Sequence, residues 1–179
     1  MKNQLIELLK KYSVKYSDTE EFTLASGTKS RFYVNCKPAV LRSEGLYLVG
    51  NLVFQEVVDL EIDAIGGLTF GADPVSIAAS FASYSSKKPF KAFSIRKEKK
   101  DHGISKWIEG DVKKGERVVI IDDVATTGGS TIKAIERAKL EGLNVVAAVI
   151  LVDREEGGIE NISIHVPIVR KILKKSDLI

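Results

Sequence analysis

Cysteine is nearly missing from this chain, with one residue, Cys36, among 179. A lone thiol closes no internal disulfide and builds no multi-cysteine metal site, so it reads as an inert side chain in a reducing compartment. Long apolar runs are missing too. The longest, residues 145–152, falls far short of the roughly 20 residues that a membrane helix needs. The N-terminal MKNQLIELLKKYSV is amphipathic, with no apolar stretch ahead of a small-residue cleavage site. No secretory leader is therefore expected, and the chain is expected to be cytoplasmic and free of the membrane. Charge of one sign is scarce as well. Lys plus Arg is 27 against 24 Asp plus Glu, a formal net charge of +3, which gives no case for a nucleic-acid partner. No repeat, linker or low-complexity tract is visible. What is there is ordinary: 44% hydrophobic and 28% charged residues, in a length that suits one domain with a core of its own.

The pattern along the chain alternates. Residues 3–12 place Leu5, Ile6, Leu8 and Leu9 on one helical face. Residues 21–35 read as two short strands joined by the turn Ser26-Gly27-Thr28-Lys29. A helix is expected over 43–59, with Ser43 as N-cap and Glu44 in its first turn. A buried strand over 62–65 should end in Gly66-Gly67. Asp73-Pro74 should open a helix through about residue 84, with proline in the first turn. Strands follow at 91–95, 117–121 and 145–152, with a helix over 130–141 that ends at Gly142. Residues 97–107 lack apolar periodicity and read as a long loop. A last strand is expected at 162–166, then a lysine-rich helix. Strands separated by helices imply right-handed crossovers, a mainly parallel sheet and an α/β fold. In such sheets ligands bind beyond the C-terminal strand ends.

Residues 118–131, VVIIDDVATTGGST, are the most informative. Four apolar β formers lead into two acids, then into hydroxyls and glycines, then into a helix. Gly128 and Gly129 permit backbone angles other residues avoid, so successive N–H groups can point at one anion beside a helix N-terminus. Thr126, Thr127, Ser130 and Thr131 add hydroxyl donors. The loop has neither the lysine of a triphosphate-binding P-loop nor the G-x-G-x-x-G spacing of a dinucleotide fold. Asp122 and Asp123 would repel a phosphate, and are expected to take the vicinal hydroxyls of a ribose whose 5′-phosphate lies on the loop. An N-capped turn needs only one small polar residue, which leaves this richer set unexplained by capping.

This segment resembles the binding signature for 5-phosphoribosyl 1-diphosphate (PRPP) of the type I phosphoribosyltransferases. Three more segments resemble the orotate phosphoribosyltransferases. Phe22-Thr-Leu-Ala-Ser-Gly27, with Lys29, Ser30 and Tyr33, is similar to that family's N-terminal hairpin. Arg96-Lys-Glu-Lys-Lys-Asp-His-Gly103 matches its R-K-x-x-K-x-H-G loop in every fixed place. Asp153-Arg154-Glu155-Glu156-Gly157 is similar to its D-R-x-E-G segment. Residues 66–71 resemble its pyrophosphate loop.

The resemblance implies a type I phosphoribosyltransferase fold, a mainly parallel twisted sheet flanked by helices. It would form a single domain over 1–179, with 1–40 a hood over the base site and 41–179 the α/β core. It implies orotate and PRPP as substrates, Mg²⁺ carried by PRPP near Asp122 and Asp123 with no direct protein cage, and a step of pyrimidine biosynthesis. PRPP would be held by Arg96, Lys97, Lys100, His102, Asp122, Asp123, Val124, Ala125, Thr126, Thr127, Gly128, Gly129 and Ser130, together with Thr69, Phe70 and Gly71. Orotate would meet Lys29, Phe32, Tyr33, Thr126 and Arg154. Lys97, Lys100, His102 and Asp123 are the catalytic candidates. Cations on the mobile loop can stabilise the leaving diphosphate, and His102 can carry a proton to it or only add charge. In the family this loop enters the neighbouring subunit's site, so a homodimer with shared sites is implied.

Two lysines of many members are absent, at Ala25 in the hairpin and at Gly71 in the pyrophosphate loop. Lys29 is near enough to replace the first. The sequence offers no replacement for the second. The competing readings are a purine or other phosphoribosyltransferase and a non-catalytic PRPP-sensing regulator, though no DNA-binding element is visible.

Overall fold

The computed structural model describes residues 1–19, 22–23, 29–98 and 106–179. The N-terminal part holds α1 (Lys2–Tyr12), β1 (Val14–Tyr16), β2 (Phe22–Thr23), β3 (Lys29–Ser30) and β4 (Phe32–Val34). Two antiparallel pairs form there, β1 with β4 and β2 with β3. The short α2 (Lys37–Val40) and the long α3 (Ser43–Val57) lead into the main sheet. Its strands are β5 (Ala64–Leu68), β6 (Lys91–Ile95), β7 (Ile108–Glu109), β8 (Arg117–Ala125), β9 (Asn144–Asp153) and β10 (Val169–Lys174). The helices between them are α4 (Ala72–Ser85), α5 (Gly129–Leu140) and α6 (Gly158–Ser163), and a 3-10 turn covers Lys175–Asp177.

The sheet order is β10-β9-β8-β5-β6-β7. All neighbours are parallel except β6 and β7. Successive residues of a strand point to opposite faces, and the core divides accordingly. Val119 and Ile121 of β8 face α1, α3 and α4, while Val118 and Ile120 face α5 and α6. Both faces are covered, which is why β8 and β9 are continuous apolar runs. Among the described residues no helix is long and apolar enough to cross a membrane.

Strand order reverses at the β5–β8 pair. The β5-α4-β6 unit runs toward one edge and β8-α5-β9 toward the other. The β5–β8 ladder stops at Gly66↔Ile120, so the two chains part beyond that point. A crevice opens where the order reverses, at the C-terminal ends of both strands.

Several boundaries differ from the sequence expectation. Ser43 is the first helical residue of α3 and Arg42 precedes it as the cap, without a side-chain capping bond. Gly66 and Gly67 lie inside β5 rather than ending it. A β-carbon on Gly66 would stand 2.2 Å from the Phe93 carbonyl oxygen, and one on Gly67 2.1 Å from that of Ile121, so close strand approach excludes side chains there. Strand β8 continues through both acids to Ala125 because its ladder with β9 continues to Ala125↔Asp153. The strand expected at 162–166 is absent. Helix α6 occupies its start, and β10 begins after Pro167, which has no N–H for a ladder. The lysine-rich end forms the last strand and a 3-10 turn instead of a helix. Within 97–107, residues 99–105 lie outside the described residues, and the returning chain forms the two-residue β7 against β6.

Candidate functional site

The turn after β8 is shaped by one backbone requirement. Gly128 has φ +83 and precedes α5, a left-handed conformation that favours glycine. A β-carbon there would also meet the Gly158 carbonyl at 2.8 Å, so the turn sits directly on the start of α6. Ile132 N–H closes onto the Gly128 carbonyl at 2.9 Å, leaving the N–H groups before it at the positive end of the helix.

The two acids do not converge on one point. Because β8 continues through them, they point to opposite faces of the sheet. Asp122 turns toward α5 and is buried. Its carboxylate accepts from Ser130 Oγ at 2.6 Å, Thr131 Oγ1 at 2.8 Å and the Asp123 N–H at 3.0 Å. Burial pushes its pKa up to about 6 against the pull of those bonds, and the neighbouring Asp123 adds to the rise. Two of the four hydroxyls expected to face a phosphate, those of Ser130 and Thr131, are therefore held by Asp122 in this structure.

Asp123 turns the other way, toward α2 and α4. Lys37 Nζ lies 3.6 Å from its Oδ2. A β-carbon on Gly71 would stand 2.5 Å from its Oδ1. The Cys36 thiol donates to the Asp123 carbonyl at 3.7 Å, and burial followed by the nearby Asp123 charge raises the thiol's pKa well above its usual range. Cys36 is thus held as a neutral thiol, in line with an inert role.

Arg154 follows β9. Its Nη2 donates to the Phe32 carbonyl at 3.1 Å and to Ser30 Oγ at 3.2 Å, and its Nε donates to Glu156 at 3.1 Å. Only 3% of the residue is exposed, so this is no surface ion pair. The carboxylate before it, Asp153, is fixed by Lys171 Nζ at 2.6 Å and by the Glu155 N–H at 2.8 Å.

On the opposite side, the segment leaving β6 and the one entering β7 are tied at their base. Arg96 N–H bonds to the Trp107 carbonyl at 2.9 Å, and the Arg96 guanidinium pairs with Glu109 at 2.8 Å. The indole of Trp107 carries the Arg137 guanidinium 3.7 Å above its ring centre.

These elements enclose one open cleft of about 1030 Å³. Of the residues singled out from sequence, Tyr33, Arg96, Lys97, Asp123, Val124, Thr126, Thr127, Gly128, Gly129, Ser130 and Arg154 line it. Asp122 and Ala125 are buried behind the turn. Phe32 is not brought to the cleft. Its side chain is 1% exposed and belongs to the core, because β4 alternates and gives the outward position to Tyr33. Lys29 is exposed on β3. Thr69 Oγ1 donates to Asp73 at 2.6 Å, and Phe70 is exposed beside it. Lys100, His102 and the turn at 24–28 lie outside the described residues. The sequence reading missed Asn35, Lys37, Leu68, Trp107, Lys133 and Arg137, all of which line the cleft. Only helical spacing from Ser130 offered a signal, for Lys133 and Arg137. Chemically the cleft combines an N–H-rich turn for a phosphate, a carboxylate for sugar hydroxyls, and cations of both kinds for further anionic groups.

Residues 66–175 match the family model described as the phosphoribosyl transferase domain. The chain is 45% identical over 161 residues to the orotate phosphoribosyltransferase of Aquifex aeolicus, covering 90% of this chain and 88% of that protein. The orotate phosphoribosyltransferase of Mycobacterium tuberculosis H37Rv, solved in complex with Fe(III) dicitrate, superposes with a TM-score of 0.85 at 34% identity over 99% of this chain and 98% of that one. The same enzyme in complex with PRPP gives a TM-score of 0.82 at 32% identity, again over 99% and 98%. The crevice at the strand reversal, the turn after β8 and this likeness along nearly the whole chain agree, and the chain belongs to the orotate phosphoribosyltransferase family.

Proposed function

We infer that the protein transfers ribose 5-phosphate from PRPP to orotate, giving orotidine 5′-monophosphate and pyrophosphate, a step of de novo pyrimidine synthesis in the cytoplasm. The single observation that carries this reading is the lining of one cleft by three chemically distinct groups: the Thr126–Ser130 turn, Asp123 and the buried Arg154. They suit a phosphate ester, a sugar diol and the carboxylate of a base.

In this reading the 5′-phosphate lies on the N–H groups of the turn and at the start of α5. Asp123, the acid that faces the cleft, accepts the ribose hydroxyls. A phosphate on the turn would compete with Asp122 for the Ser130 hydroxyl, while Thr131 and the Asp123 N–H keep Asp122 in place. Orotate sits under the hood of residues 1–40, against Tyr33, Thr126 and Arg154, within a single domain over 1–179. The C1–oxygen bond to the diphosphate breaks with its electron pair on the leaving group, and a base nitrogen forms the new bond to C1 and gives up its proton, which His102 can pass to the diphosphate. Arg96 and Lys97, with Lys100 and His102 of the same segment, balance charge on the leaving group.

Mg²⁺ fits this site as a guest of the substrate. Among the described residues no cluster of His, Cys, Asp or Glu could cage a metal. Magnesium commonly keeps waters and binds through one or two carboxylates plus phosphate oxygens, and Asp123 is the carboxylate that stands toward the cleft. The ion would supply neutralisation of the diphosphate.

The surface of α4 supports a homodimer. Ile77, Phe81 and Tyr84, spaced as one helical stripe, are 61%, 74% and 76% exposed. A second copy covering that stripe would remove it from water.

The test is the loss of orotate absorbance on adding PRPP and Mg²⁺, with adenine, guanine, hypoxanthine and uracil as alternative acceptors. Turnover with orotate is expected. Turnover with a purine alone, or with no base at all, would reject the assignment.

A further inference from the structure

We propose that Lys37 is a diphosphate-binding residue of this enzyme, supplying the positive charge that the pyrophosphate loop lacks at Gly71. The proposal rests on the phosphoribosyltransferase reading and names a residue of that same site.

Its basis is the way one carboxylate separates the two positions. Asp123 Oδ1 stands where a side chain on Gly71 would begin, 2.5 Å from its β-carbon position, and the carboxyl carbon is 2.9 Å away. The Asp123 carboxylate, where it stands, therefore occupies the place in which a lysine side chain at position 71 would begin. On the far side of the same carboxylate, Oδ2 faces Lys37 Nζ at 3.6 Å. The charge denied to the residue before α4 is present on α2, across Asp123.

Lys37 is built to reach a ligand. It lines the cleft, and its side chain is 40% exposed while that of Asp123 is 15% exposed. At 3.6 Å the contact is an ion pair longer than a normal N–H···O bond, and an ammonium carries three donors. Its attraction to Asp123 does not saturate it. A diphosphate lying along Thr69–Gly71 would face the Asp123 charge at close range. Lys37 both offsets that charge and offers N–H groups to the phosphate oxygens.

The test compares Lys37→Met and Lys37→Arg with the unaltered enzyme. KM is measured for PRPP and orotate in the forward direction, and for pyrophosphate and orotidine 5′-monophosphate in reverse. Lys37→Met is expected to raise KM for PRPP and pyrophosphate roughly tenfold or more, with less than about a twofold change for the other two. Lys37→Arg is expected to restore most of the loss. Unchanged KM values, or a fall in kcat alone, would overturn the proposal, the second by reducing Lys37 to a prop for Asp123. Thermal melting checks that Lys37→Met folds, and Lys37→Gln serves if it does not. Should the unaltered protein show no turnover, the functional reading falls. Calorimetric titration with magnesium pyrophosphate then decides Lys37 by itself, since weaker binding by the Met variant supports the role and equal binding removes it.

Discussion

Arg154 Nη2 lies 3.1 Å from the carbonyl oxygen of Phe32, joining the end of β9 to the strand pair that overhangs the cleft. The two residues are far apart in sequence. Their bond fixes the guanidinium, and Tyr33, the next residue along β4, lines the same cleft, so one contact ties the N-terminal strand pair to a cation of the cleft.

Replacing Arg154 should therefore disturb both stability and orotate binding. Arg154→Ala leaves the buried Phe32 carbonyl and Glu156 without that partner, at an expected cost of about 2–4 kcal/mol in urea unfolding. KM for orotate should rise more than KM for PRPP. Arg154→Lys should recover little, since a point charge does not reproduce the planar fork. Equal effects on both KM values would separate Arg154 from the base.

Asp122 should leave a mark on the pH dependence of stability. Its pKa is raised by burial to about 6. Between the unfolded value near 3.8 and that value, the folded chain keeps a proton that the unfolded chain has lost. The associated stability is full below the unfolded pKa and disappears as pH rises through about 6. On going from pH 4 to pH 7 the protein should lose roughly 1–3 kcal/mol relative to Asp122→Asn. The Asn variant itself carries a constant penalty, because its amide nitrogen must face either the hydroxyls or the Asp123 N–H. Parallel stability curves for the two proteins would show that Asp122 titrates normally.

Gly128→Ala meets two obstacles at once, the left-handed φ of +83 and the Gly158 carbonyl 2.8 Å from the new methyl group. A loss of about 1–3 kcal/mol in stability is expected, with weakened PRPP binding because the turn's N–H groups are re-aimed. Full PRPP affinity in this variant would mean that the turn does not hold the phosphate.

Trp107 is the only tryptophan in the chain, and it lines the cleft beneath Arg137. Its fluorescence should change when PRPP is titrated in, and the response should be altered by Arg137→Ala. A spectrum indifferent to saturating PRPP would place the ligand elsewhere.

Phe81→Glu should yield monomers in sedimentation velocity, because Phe81 is the centre of the exposed α4 stripe. Activity should fall with dimer content. Mixing Lys100→Ala chains with Asp123→Ala chains should restore part of the activity in heterodimers. Absence of recovery in verified heterodimers would count against a site shared between subunits.

Much of the site could be read locally. Residues 118–131 state their own structure: an apolar strand, a turn that needs glycine, and a helix start. Individual boundaries were less legible. Ending β8 at Ile121 put both acids in a loop with a common target. The ladder with β9 carries the strand past them, and strand alternation then sends Asp122 to α5 and Asp123 to α2 and α4. The same alternation withdrew Phe32 into the core and left Tyr33 outside. At 162–166 the β-branched pattern lost to Gly157, Gly158 and Pro167, which favour a short helix and a later strand.

The sequence alone determined the α/β class, the family and the glycine-containing turn before α5, because each depends on periodicity or on residues adjacent in the chain. Only the tertiary structure decided which carboxylate faces the cleft, that Arg154 is buried against Phe32, and that Lys37 stands across Asp123 from Gly71. Those relationships join residues that the chain keeps far apart. They are fixed by strand register and by steric exclusion between packed elements, which no local pattern encodes.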